Sequence, residues 1–310
     1  MFMRSIFCSV VLLFTVTLVN AQGCSDAGFC TAGNFNAMHY DSGDIKIKER
    51  KKEIDVSINY GTHLPYENFY QLQLNYRRIK NNAAYFELRL PLNIALNTNT
   101  NISNSGIGDI MITYNDGLFK KRPGRFSYAS GLRISFTDAS KKAANSNFSL
   151  PMSLQNGLGT TDIIAVLNYD IIKYLSFTSG IQYPVLQYNK HKTSFTDPGN
   201  TTIVVAENYR RKPDALLKAT GHHQVGQFKI NAGILAIFHL ANDHYNIAAG
   251  KYILQNSKGT TLNWTADINY LAGKNLIVTV LYAEPFKTRT NIPDGLARSS
   301  VLSGKLSLAF

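Results

Sequence analysis

The sequence predicts an all-β fold, a single antiparallel transmembrane β-barrel of about twelve strands with both termini on the periplasmic side. Three observations predict it. Apolar and polar residues alternate with a period of two through most of the chain, which separates a greasy face from a wet one and fits strands lying between two solvents. Long and short connections alternate between those stretches. Outside residues 1–21 no apolar run approaches the roughly 20 residues of a spanning helix.

Composition agrees. Of 310 residues, 45% are hydrophobic and 17% charged, too polar for a helical membrane protein but suited to strands that show only half their side chains to lipid. The formal net charge is +12, yet the lysines and arginines are scattered among connections and form no basic stripe interleaved with aromatics, so nucleic acid is not an expected partner. Basic loops suit the anionic lipopolysaccharide of a bacterial outer membrane.

Residues 1–21 read as a secretory signal: Arg4 supplies the basic start, residues 10–19 the apolar core, and Val19-Asn20-Ala21 precede the cut. Residues 22–52 form a periplasmic lead-in. Cleavage removes Cys8 and leaves Cys24 and Cys30 in an oxidising compartment. A disulfide between them is one reading. Lipidation of Cys24 is another, since Gly23 fits a lipoprotein signal, although Ala21 stands where such signals usually carry Leu. Two unpaired thiols are the third.

Residues 53–310 form the barrel. Ile54, Val56, Ile58 and Tyr60 share one face against Asp55, Ser57 and Asn59, and Tyr70, Leu72, Leu74 and Tyr76 oppose Gln71, Gln73, Asn75 and Arg77. Next come Phe86, Leu88, Leu90, Leu92, Ile94 and Leu96 at spacing two, interleaved with Glu87, Arg89, Pro91 and Asn93; a helix would spread those charges around its axis. Further strands follow over 108–114, 125–137, 161–169, 175–188, 214–222, 227–240, 262–270, 276–282 and 301–310. The total is even, as a single-chain bacterial barrel requires.

Connections 81–83, 170–174, 223–226 and 272–274 are tight, with 115–124 a longer, basic member of the same set. On the opposite side, 97–105, 138–160, 189–213, 241–261 and 283–300 are long and polar, and only 62–66 is short. A barrel has short periplasmic turns and long outer loops; a soluble sandwich has no reason for that rhythm.

The last strand sets Leu302, Gly304, Leu306, Leu308 and Phe310 against Ser303, Lys305, Ser307 and Ala309. It resembles the closing strand of bacterial outer-membrane barrels, which implies recognition by the barrel-assembly machinery through the strand ending at Phe310. Two glycine patches carry a second likeness. Gly106-Ile107-Gly108-Asp109 opens one strand, Gly131-Leu132-Arg133-Ile134 lies in another, and Leu150-Pro151 followed by Gly157-Leu158-Gly159-Thr160-Thr161-Asp162 opens a third. In order and content these resemble the outer-membrane channel family named for the MetA pathway of phenol degradation, which implies passage of hydrophobic or aromatic compounds. The chain departs from that family at Ser135-Phe136-Thr137-Asp138, where a Pro-Thr-Gly-like segment is usual. From the residues alone, the glycines also read as kinks and bulges that shape a barrel.

On the inward face, Met111, Ile164, Val166, Leu235, Ile237, Ile277 and Leu281 form an apolar stripe, with Leu186 assigned to the same side. Glu87, Arg89, Arg133, Lys229, Asp267 and Lys305 are its polar counterpart. A general porin lines its lumen with charge throughout, whereas an apolar stripe suits a small hydrophobic solute; dense packing inside a narrow barrel is the plainer alternative. The expected function is an outer-membrane channel for such solutes, with a structural or adhesive barrel and, behind it, a lipid-modifying barrel enzyme as the other readings. Catalysis is not expected, because no nucleotide loop and no serine-histidine signature of barrel phospholipases is present. His239, Asp243 and His244 could cluster at a strand end, but no metal or cofactor is expected, and His222 and His223 read as polar surface.

Overall fold

The computed structural model describes residues 51–62, 66–80, 84–121, 124–144, 146–171, 174–196, 203–295 and 300–310. The secretory signal and Cys24 and Cys30 lie outside the described residues.

Alternating stretches become strands where alternation is strongest. In chain order they are β1 (Lys52–Thr62), β2 (Glu67–Ile79), β3 (Tyr85–Asn97), β4 (Ile102–Ile107), β5 (Ile110–Lys121), β6 (Gly124–Ile134), β7 (Thr160–Ile171) and β8 (Leu175–Gln187). There follow β9 (Lys192–Thr196), β10 (Ile203–Arg210), β11 (Asp214–Val225), β12 (Phe228–His239), β13 (His244–Ile247), β14 (Gly250–Ile253), β15 (Gly259–Leu271), β16 (Leu276–Lys287) and β17 (Ser300–Ala309). β4 and β5 are two halves of one stave broken at Gly108 and Asp109, since β3 pairs with β4 through Leu92 to Asn97 and with β5 through Tyr85 to Arg89. The described residues therefore build twelve staves, the number the alternation predicts.

The barrel closes where the first strand meets the last. Ile54 lies opposite Leu308 and Tyr60 opposite Leu302, and the backbones of Lys52 and Phe310 exchange hydrogen bonds of 3.0 and 2.9 Å. Along most of its length a closed wall satisfies the strands' amides and carbonyls against their neighbours, the condition set by hydrocarbon, where water cannot do so. The lipid face is that read from the sequence: Leu92, Leu167, Leu217, Val280 and Leu306 are each about half exposed, while Glu87, Asn93, Ile164 and Asp162 on the other parity are buried. Among the described residues no helix is long and apolar enough to cross a membrane.

Three sequence expectations change. The 115–124 connection is mostly strand, because β5 runs to Lys121 and β6 starts at Gly124. Leu186 faces outward and is 60% exposed. A bulge opposite Thr161 and Asp162 pairs them with Leu186 and Pro184, and one extra residue turns every later side chain to the other face. The loops at 189–213 and 241–261 are not irregular throughout. They form a second sheet, ordered β14-β13-β10-β9, at the rim opposite the chain termini. Its core joins Ala206, Tyr209, Tyr245 and Leu254 to Ala139, Met152 and Leu158 of the 135–159 segment. No single loop could bury those aromatics alone, so the sheet exists only once both loops meet.

Candidate functional site

The lumen is layered. Nearest the termini, register sets Glu53, Arg77 and Glu87 side by side on β1, β2 and β3. Arg77 donates to Glu53 at 2.7 Å and to Glu87 at 2.9 Å, and lies 3.0 Å from the Asp55 carboxylate. Arg89 completes the group on Glu87. Lys305, half-buried on β17, acts electrostatically on Glu53 and Asp55. The charges are thus spent on one another.

Above them an apolar patch occupies the opposite wall. Met111, Ala129, Ile164, Val166, Leu216 and Leu235 form one buried cluster, with Tyr85 and Ile237 packed against it. Five residues of the sequence-predicted stripe therefore come together here: Met111, Ile164, Val166, Leu235 and Ile237. Ile277 is buried on β16 outside this cluster, and Leu281 is half-buried further along the same strand. Alternation missed Leu216 and Ala129, although both stand on the inward parity of their strands.

At the far rim a second ionic network crosses the barrel. Arg133 pairs with Asp162; Arg211 reaches Asp162 at 3.4 Å, Asp294 at 3.5 Å, and Asp214. Arg289 lies 2.6 Å from Asp294. Burial alone would raise the Asp294 carboxyl, but Arg289 and Arg211 hold it well below the usual carboxylate range. His239 bridges Asp214 at 2.6 Å and Asp243 at 2.9 Å. The histidine-centred group foreseen at this strand end thus forms with Asp243 but takes Asp294, not His244, as its third member, with donor atoms within 4.8 Å. Tyr209, the Lys212 amide and Arg289 already engage those carboxylates. Asp162 was within reach of the alternation argument; Arg211 and Asp294 lie in connections, where no period exists to reveal them.

The two glycine patches meet. The 135–159 segment, with a short 3-10 turn at Met152–Leu154, folds against the inner face of β2 to β4: Leu150 and Leu154 pack on Phe69 and Ala95. Asn93 donates to the Asn156 carbonyl at 3.0 Å and Asn104 to the Leu154 carbonyl at 2.7 Å. Such contact leaves no space for a side chain at Gly106, where a Cβ would lie 2.4 Å from the Asn156 amide nitrogen.

This segment lies where the wall parts. β6 pairs with β5 from Ile110 and Ile134 downward, whereas β4 pairs with β3 and, among the described residues, has no partner on its other edge. A cavity of about 480 Å³ lies beside the parting, lined by Asn104, Phe136, Thr137, Lys141, Asn156 and Tyr188. Phe136 is 67% exposed.

Near the terminal rim, Lys229 is half-buried opposite Asn269, and Asp267 accepts from Asn231 and Asn269. With Glu87, Arg89, Arg133 and Lys305 these complete the predicted polar residues. They fall into three separate groups and do not form one ring.

No protein-family model matches the chain, and no curated protein matches it in sequence. Solved structures match in fold. An outer membrane channel from Pseudomonas putida F1 aligns with a TM-score of 0.58 at 12% identity, over 86% of this chain and 98% of that one. The translocator domain of the autotransporter NalP from Neisseria meningitidis gives 0.44 at 9% identity over 91% and 94%, and the toluene transporter TodX of P. putida 0.42 at 9% over 85% and 91%. The chain has the fold of an outer-membrane β-barrel, a closed antiparallel wall of twelve staves.

Proposed function

We propose that this barrel passes small hydrophobic or aromatic compounds across the outer membrane. One observation carries the reading: the lumen sets a buried apolar cluster around Ile164 and Leu235 on one wall, while the charges above and below it are paired among themselves. A solute leaving water there gains about 25 cal/mol for each Å² of apolar surface it buries, enough to dwell yet shallow enough to leave. Paired charges offer little to a hydrated ion. The cavity beside the parted β4 edge, with the exposed Phe136 in its lining, is the entry this reading assigns to the solute. Met111, Val166 and Ile237 extend the apolar wall; Ile277 and Leu281 line the path toward the termini. Transport of this kind calls for no catalytic residue. The outward Phe310 at the end of β17 supports recognition by the barrel-assembly machinery, and the basic loops support contact with lipopolysaccharide.

The test is uptake in liposomes. The folded protein should pass small aromatic compounds with low ion conductance, and Ile164→Asp together with Leu235→Asp should stop that passage while the barrel still shows heat-dependent gel mobility. Large, unselective ion currents would overturn the proposal.

A further inference from the structure

Low in the lumen, β8, β11, β12 and β15 set four polar side chains in a row. Register places His222 opposite Asn231 and Asn231 opposite Asp267, and Ser176 faces the same strand as His222 from β8. The contacts are continuous: Ser176 Oγ to His222 Nε2 is 2.9 Å, His222 Nδ1 to Asn231 Oδ1 is 2.7 Å, and Asn231 Nδ2 to Asp267 Oδ2 is 2.5 Å.

The order of donors follows from the far end. A carboxylate only accepts, so Asp267 turns the amide nitrogen of Asn231 toward itself. Asn269 donates to the same Asp267 oxygen at 2.5 Å. The Asn231 oxygen therefore faces His222 and can only accept, so Nδ1 carries the ring proton. In the neutral ring Nε2 is then a lone pair, and the Ser176 hydroxyl is the group that donates to it. A hydroxyl held by a base whose tautomer is set by a third group is the arrangement of an acyl-transfer nucleophile. Lys229 and Lys218 are the ammonium groups within electrostatic reach of the ring. Ser176 is buried, while His222 remains partly open.

We propose that this row hydrolyses small carboxylic esters, an activity beyond passage. Ser176 Oγ attacks the ester carbon and its proton passes to His222 Nε2. The bond to the alcohol oxygen breaks, and that proton leaves with the alcohol. Water then attacks the acyl-serine, giving its proton to His222; the acid departs and Ser176 regains its hydrogen. Ser176 and His222 are the catalytic residues, and Asn231 and Asp267 position them.

The test treats the full-length folded protein in detergent with a fluorophosphonate probe and with p-nitrophenyl butyrate. Expected are one adduct, on Ser176, and hydrolysis above the detergent blank. Both should vanish in Ser176→Ala, and the rate should fall roughly 10²–10⁴-fold in His222→Asn. Asn231→Leu should lower kcat with KM kept and move the pH–rate profile, a split that a merely structural residue would not give. Heat-dependent gel mobility checks folding of each variant, and alkylation of Ser176→Cys by iodoacetamide checks that the position can be reached. A folded wild type without adduct or hydrolysis, labelling that survives His222→Asn unchanged, or an unreactive Ser176→Cys would each overturn the proposal.

Discussion

Gly157 lies against the carboxylate of Asp109, so close that a Cβ at Gly157 would stand 2.3 Å from Asp109 Oδ1 and 2.3 Å from Ser135 Oγ. Two patches far apart in sequence thus form one seam, with the Leu158 amide 3.4 Å from the other Asp109 oxygen. Gly157→Val should force that seam apart at a local cost of about 1–3 kcal/mol, typical of overpacking. Planar-bilayer recordings should show raised conductance in a barrel that still migrates as folded; wild-type conductance would show that the seam does not close the path.

The face assignment of β3 is tested by neighbours. Leu92 is half exposed toward lipid, whereas Asn93 is buried in the lumen, bonded to Gln71 and to the Asn156 carbonyl. Leu92→Arg should weaken membrane insertion by about 2–4 kcal/mol at mid-depth. Asn93→Arg should spare insertion and disturb the 135–159 segment instead. Equal folding yields into vesicles for both would contradict the assignment.

Arg77 is the hub of the lower charge group. Arg77→Met leaves Glu53, Asp55 and Glu87 facing one another without their shared cation. Removing one partner from a buried ionic group typically costs about 3–5 kcal/mol. The denaturant midpoint of unfolding in detergent should drop accordingly, and an unchanged midpoint would mean that water or Lys305 replaces Arg77.

The sheet at the far rim should loosen in acid. His191 donates from Nε2 to the Leu150 carbonyl at 2.9 Å and accepts from the Tyr245 hydroxyl at 2.7 Å, a pairing that needs a neutral ring. Burial pushes its pKa below the ordinary value of about 6.5. The unfolded loop therefore takes up a proton before the folded one does, and stability is lost as pH falls through that ordinary value and is regained above it. His244 is shifted in the same direction, chiefly by burial. Proteolysis of the rim loops should be faster at pH 5 than at pH 7.5, and His191→Gln should remove part of the difference. Identical rates at both pH values would refute this account.

What the sequence determined by itself was the wall. A period of two assigns each strand residue to lipid or lumen, and hydrocarbon leaves an antiparallel sheet no stable end except closure, so Phe310 returning to Lys52 was already implied by alternation. Tertiary structure decided which inward residues meet. Face says nothing of stagger, so Ile164, Leu216 and Leu235 became one cluster while Ile277, on the same parity, stayed outside it. One bulge was enough to turn Leu186 outward. Arg211, Asp294 and the aromatic core around Tyr245 come from connections, whose contacts are set by distant loops and leave no local period to read. His222 showed the same limit from within a strand: a side chain that alone reads as polar surface acquired Ser176 and Asn231 as partners only when three staves came into register.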